Sequence, residues 1–368
     1  MGAPSRDRDR PGITTARMEA HPLLAFTRLS RFDGRRDNNF TLIRLVFSLL
    51  VLWGHAWPLT GSGFDPVSRL MMPGTWIGAI AVTGFFAISG FLVTASFENR
   101  PWRDFVVSRV LRLYPAALAF FALMLLVLGP MLSTLGAREF FRSPQTWSFA
   151  MGALLLDLRT QLPGVFADRP FSDSVNGSLW TVILELRCYV AVLAFGLMGG
   201  FRRRAIANTA LGAILVAGYV LQSYLPMLGI ASNHNRQFAY FVIGALFWIN
   251  RDRVPLNGAV AVLAVLLPWP FWGTALFPVV LSVCLVYAIF AVAYLAPHAD
   301  LDRIGDFSYG IYIYAWPVQQ AIWRPGQTPW ENALLATVIV VPLSVASWYA
   351  IEKPALSWRK RPSASATR

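Results

Sequence analysis

The chain has 368 residues, of which 56% are apolar and only 14% charged, and its mean hydropathy is +0.50. Soluble domains carry about 25% charged residues, so this composition excludes an ordinary water-soluble globule and points to repeated membrane-spanning helices of roughly 20 residues each. The formal net charge of +13 is almost all arginine and falls between apolar segments. It reads as the positive excess of cytoplasmic loops and not as a nucleic-acid surface, so the lipid bilayer is an expected partner and nucleic acid is not.

Residues 1–39 are Arg-rich and lack the apolar core of a cleavable signal peptide. They read as a disordered basic cytoplasmic tail, with Met18 as an alternative start. Ten apolar segments follow: Leu42 to Leu59, Ile77 to Phe97, Phe105 to Leu132, Leu179 to Leu197, Ala205 to Leu225, Phe238 to Ile249, Ala259 to Trp272, Ala275 to Leu295, Phe307 to Trp323, and Ala333 to Ile351. The expected fold is all-α, a polytopic membrane protein of about ten transmembrane helices with both termini cytoplasmic. Residues 40–354 form the membrane domain and 355–368 a short cytoplasmic tail.

With the N-terminus inside, the inner segments collect Arg100, Arg103, Arg109, Arg112, the run Arg202 to Arg204, Arg251, Arg253 and Lys353. The outer segments are poorer in basic residues, and their longest loop, Ser133 to Ser178, is near charge balance. The apolar stretch Trp147 to Leu156 within that loop is too short to span and reads as a re-entrant or interfacial helix. Gly273 and Thr274 mark a tight hairpin between the seventh and eighth segments. Cys188 and Cys284 both lie in apolar segments and read as small core residues, not a disulfide.

Ionisable groups inside apolar segments are the informative ones, because each costs roughly 2.5–3.5 kcal/mol near the centre of a spanning helix. Arg44 and His55 are eleven residues apart, three turns plus about 20°, and so share one helix face about 16 Å apart along the axis. Taken singly, Arg44 also reads as a snorkelling interfacial arginine and His55 as a hydrogen-bonded packing residue. Glu185, entering from the outer side, is expected at a depth similar to His55. It reads either as half of an internal ion pair that only holds helices together or as the carboxylate that orients the imidazole. Ser89 and Gly90 read as a close helix contact. Arg109 and Arg112, at i and i+3, read either as topology signals or as a phosphate site.

Several stretches then combine in order: Arg44 with ten residues before His55; Phe85-Phe-Ala-Ile-Ser-Gly-Phe-Leu92; Arg109-Val-Leu-Arg-Leu-Tyr-Pro115; Ser178-Leu-Trp-Thr-Val-Ile-Leu-Glu185; Gly305-Asp-Phe-Ser-Tyr-Gly-Ile-Tyr312 leading to Trp316-Pro317; and Ile351-Glu-Lys-Pro354. The set, covering about Asn38 to Trp358, resembles the bacterial integral-membrane acyltransferase family called type three, the surface-polysaccharide O-acetyltransferases. Ala315 stands where many members have a histidine, so any role of that position is absent here. The chain also stops shortly after the tenth segment, without the hydrolase-like domain that trails some members.

The resemblance implies transfer of an acyl group, commonly acetyl, from cytoplasmic acyl-CoA to a hydroxyl of an extracytoplasmic glycan or related acceptor, at the bacterial inner membrane. It implies no permanently bound cofactor, no metal, and acyl-CoA as co-substrate. Arg44, Arg109 and Arg112 are then the expected acyl-CoA-binding residues, His55 the general base or an acylated nucleophile, and Glu185 its partner. Trp180, Tyr309, Tyr312 and Trp316 are candidates for the acceptor-facing wall. A transporter or flippase would also need buried Arg, His and Glu, but no inverted repeat is visible.

Overall fold

The computed structural model describes residues 25–35, 37–70, 76–155, 161–172, 174–220, 232–274 and 276–358. Helices dominate: α1 (Phe40–Leu59), α2 (Ile77–Glu98), α3 (Trp102–Leu132), α4 (Pro144–Leu155), α5 (Leu179–Leu197), α6 (Arg204–Val220), α7 (Ser232–Ile249), α8 (Gly258–Leu266), α9 (Phe277–Leu295), α10 (Ser308–Ala321) and α11 (Pro329–Ser357). Six of them, α1, α2, α3, α5, α9 and α11, are long and apolar enough to cross a membrane by length and composition. Helices α6 and α7 add shorter apolar stretches, and α8 another with the short turn that follows it. Gly273, at φ +78°, makes the tight turn between α8 and α9 in a backbone conformation that glycine adopts freely. The stretch from Trp147 forms part of α4, which packs on α3 through Phe149 and Phe121. The end of the fifth expected segment, most of the first tail and the residues after Trp358 lie outside the described residues.

Ordered structure begins before Phe40. Thr27–Arg28 pairs antiparallel with Pro255–Leu256, and Leu29 is buried behind it. This part of the expected tail is therefore folded onto the bundle. At the same end, buried Asn39 donates its backbone N–H to the Ala293 carbonyl at 2.8 Å and its side-chain amide to the Pro297 carbonyl at 3.2 Å. The first of these bonds occupies a carbonyl in the last turn of α9, where the helix itself offers no partner. Arg204 pairs with Asp252 and Arg251 with Asp33 at this end as well. Described residues of the connection between α3 and α5 reach the C-terminal end of α10, where Arg169 donates to the Trp323 carbonyl at 3.1 Å.

Two glycines set a close helix crossing. A Cβ at Gly90 would lie 1.9 Å from the Phe241 carbonyl oxygen, and one at Gly244 would lie 2.0 Å from that of Ala87. Such small residues let α2 and α7 approach backbone to backbone, as expected between membrane helices. Helix α10 is only 14 residues long, yet nearly all of its side chains are buried. Enclosed by α1, α3 and α11, it can carry polar groups that a lipid-facing helix could not. Gln319 donates to the Leu52 carbonyl at 2.9 Å and to Asn332 at 3.1 Å. Helix α11 starts with a capping box between Thr328 and Glu331 and runs on through Glu352 to Ser357, beyond the expected end at Ile351.

Candidate active site

A partly open cavity lies among α1, α2, α5 and α10, lined in part by Arg44, Phe85, Ser89, Thr181, Glu185 and Tyr312. Arg44 and Arg112 both reach Asp306, just before α10. Arg44 Nη1 lies 2.9 Å and Arg112 Nη2 2.7 Å from the same oxygen, Oδ2. Two like unit charges about 5 Å apart repel by roughly 3 kcal/mol at an effective dielectric constant near 20, and Asp306 offsets that repulsion. Burial works against the charge on Asp306. The Arg44 and Arg112 guanidiniums and the Ser308 donors outweigh it and hold the carboxyl below the usual carboxylate range. Arg109 has no carboxylate partner among the described residues; its guanidinium lies over the Tyr189 ring, 5.4 Å from the centroid.

Glu185 faces the same cavity. Its Oε1 accepts from the Ser89 hydroxyl at 2.9 Å and the Tyr189 hydroxyl at 2.5 Å. Ser89 is thus a hydrogen-bond donor to Glu185, while the packing role expected for this pair of residues falls to Gly90. Arg187 is exposed and makes no ion pair with Glu185 among the described residues.

His55 sits in a different environment. It is 7% exposed, with its ring 5.1 Å from Trp76 and 4.8 Å from Trp316, centroid to centroid. Its Nδ1 is buried and has no hydrogen-bond partner among the described residues. Trp316 in turn meets Phe171 at 5.0 Å and donates its indole N–H to the Ser174 carbonyl. Gln320 donates to the Phe171 carbonyl at 2.8 Å. The loop is therefore fastened to the end of α10, and Phe171, 40% exposed, carries the aromatic series outward.

The expected contact between Glu185 and His55 is not formed. The cause lies in the depth at which α5 begins. Its N-terminal approach is already inside the bundle: fully buried Asn176 donates to the Ile313 carbonyl at 2.8 Å, and Gly177 abuts the Trp316 ring. Eight residues further on, about 12 Å at helical rise, Glu185 lies with Arg44 and not with His55. Tyr309 and Tyr312 likewise line the Arg44 cavity, so only Trp316 of the four wall candidates touches His55 through its ring. Trp180 is half-buried against the core and is not among the lining residues. Asp306 and Phe171 carry contacts that spacing alone does not reveal. Asp306 stands in a quoted motif, but its partners come from two distant helices. Phe171 sits in a loop with no periodicity to read.

These features define a helical membrane protein with a charged cavity towards one end of its bundle and a buried, aromatic-walled histidine towards the other. The chain belongs to the acyltransferase domain family known as acyltransferase 3, which matches residues 37–353. It is similar to "Nodulation protein 10" of Rhizobium leguminosarum bv. viciae, at 28% identity over 88% of this chain and 94% of that protein. It is also similar to the "O-acetyl transferase" of Shigella phage Sf6, at 25% identity over 86% and 96%. The "Putative peptidoglycan O-acetyltransferase YrhL" of Bacillus subtilis matches at 25% identity over 75% of this chain and 50% of its own length. No solved structure matches.

Proposed function

We propose that this acyltransferase moves an acyl group, acetyl in the simplest case, from cytoplasmic acyl-CoA to a hydroxyl of an acceptor at the outer face of the bacterial inner membrane. A glycan is the acceptor class favoured by the names of two relatives, an O-acetyl transferase and a putative peptidoglycan O-acetyltransferase. The observation that carries the reading is a buried imidazole whose Nδ1 lacks a partner among the described residues, three turns along the same helix from an arginine lining a cavity. The roughly 16 Å between Arg44 and His55 suits an extended pantetheine arm.

In this reading the phosphates of the donor meet Arg44, Arg112 and the acid-free Arg109, since guanidinium matches phosphate geometry. The arm passes Glu185, Tyr309 and Tyr312, and the thioester carbonyl comes to His55. The acceptor hydroxyl approaches past Phe171 and Trp316. His55 takes the hydroxyl proton as its oxygen bonds to the carbonyl carbon. The carbon–sulfur bond breaks, and the proton passes to the departing CoA thiolate. Glu185 serves the donor arm in this scheme, and His55 works without a carboxylate partner.

The same proposal has ten crossings and both termini in the cytoplasm, supported by the basic residues at the end where α1 begins. A cysteine introduced at Ser143, with Cys188 and Cys284 replaced, should react with an impermeant reagent from outside; labelling only after the membrane is opened would contradict it. The activity itself is tested with purified protein, radiolabelled acetyl-CoA and envelope polysaccharide fractions. Label should appear in an ester on one fraction as free CoA is released. Passage of a glycan across vesicles without CoA release would favour a flippase instead.

A further inference from the structure

We propose that Asp306 is a positioning residue of the donor site, holding the Arg44 and Arg112 guanidiniums side by side so that their remaining N–H groups converge on the phosphates of the donor. This rests on reading the cavity as the acyl-CoA site. Asp306 Oδ1 accepts from the Ser308 backbone N–H at 3.2 Å and the Ser308 hydroxyl at 2.5 Å, which fixes the carboxylate at the start of α10. Its Oδ2 then accepts an N–H from Arg112 on α3 at 2.7 Å and forms an ion pair with Arg44 on α1 at 2.9 Å. A single carboxylate oxygen thus joins two helices at the root of a third.

Each guanidinium carries five N–H donors in a rigid fork, so most remain free after this contact. Arg44 lines the cavity. Arg112 lies 5.9 Å from the centroid of Tyr309, which lines it too. Asp306 itself is not a lining residue; it acts through the two arginines. Without its charge the two cations would repel and turn apart, and the phosphate site would lose its shape while keeping its residues.

The test is equilibrium binding of CoA and of phosphate-free pantetheine to the purified full-length protein. Asp306→Asn keeps an acceptor for Ser308 but removes the charge. It should weaken CoA binding about tenfold, the scale of one charge-assisted contact, and leave pantetheine binding unchanged. Asp306→Glu should recover part of the loss. In an Arg44→Ala protein, Asp306→Asn should add little, because groups acting as one unit are not additive. Equal weakening of both ligands, or the full tenfold loss on top of Arg44→Ala, would overturn the assignment. A wild-type protein that binds CoA no better than pantetheine would instead overturn the donor-site reading beneath it.

Discussion

The two ends of α1 solve opposite problems. At the Arg44 end the charged groups around the cavity have partners: Arg44 and Arg112 share Asp306, and Glu185 holds two hydroxyls. At the His55 end a polar atom is buried among aromatic rings with Nδ1 unsatisfied. A buried donor or acceptor without a partner costs about 1–3 kcal/mol. The first arrangement fixes geometry around a space, and the second leaves an atom free to take a proton. Under the proposed function this difference separates binding from chemistry along one helix, so substitutions at the two ends should fail in different ways.

The largest effect belongs to the chemical end. His55→Ala should lower the transfer rate by about 10²–10⁴, the usual contribution of a general base. Thermal unfolding should hardly change, because the ring surrenders no hydrogen bond of Nδ1. A large drop in melting temperature with modest loss of rate would mark His55 as a packing residue.

At the binding end, Arg44→Ala should raise the donor KM by about tenfold or more and leave the acceptor KM alone. Arg44→Lys should restore part of this, since the charge persists but the fork does not. An unchanged donor KM in a folded Arg44→Ala protein would remove Arg44 from the donor site.

Glu185→Gln separates the two regions more finely. With Glu185 in the Arg44 cavity, the substitution should change the donor KM by several-fold, on the scale of one charge-assisted hydrogen bond, and leave the pH profile of kcat in place. A shifted kcat profile would mean that Glu185 reaches the imidazole in the working enzyme. The smallest effect is expected at the loop: Phe171→Ala should raise the acceptor KM by roughly three- to tenfold, within the range of one aromatic contact, with donor affinity untouched. An altered donor affinity there would break the division.

Much of this division could be read from residue spacing. An eleven-residue interval fixes Arg44 and His55 on one helix face whatever surrounds them, because helical period is a local property. Gly90 was legible for a similar reason: a residue without a side chain inside an apolar helix invites close contact. Depth was not legible for Glu185. Counting residues from the start of α5 assumes that the helix begins at the membrane surface, and Asn176 and Gly177 are already buried beside α10. Nor could spacing show that Asp306, in a turn between helices, takes partners 262 and 194 positions away in the chain, or that Phe171 would be pinned beside Trp316. Those are tertiary facts, set by where α10 lies in the bundle.

Direct binding of acetyl-CoA to purified His55→Ala and Arg44→Ala proteins, measured beside their transfer rates, tests the separation most directly. The account predicts that His55→Ala protein binds acetyl-CoA as tightly as the wild type yet transfers almost nothing, and that Arg44→Ala protein binds it about tenfold more weakly and transfers normally once saturated. Loss of acetyl-CoA binding in His55→Ala protein, or a saturated rate in Arg44→Ala protein as low as that of His55→Ala, would contradict it.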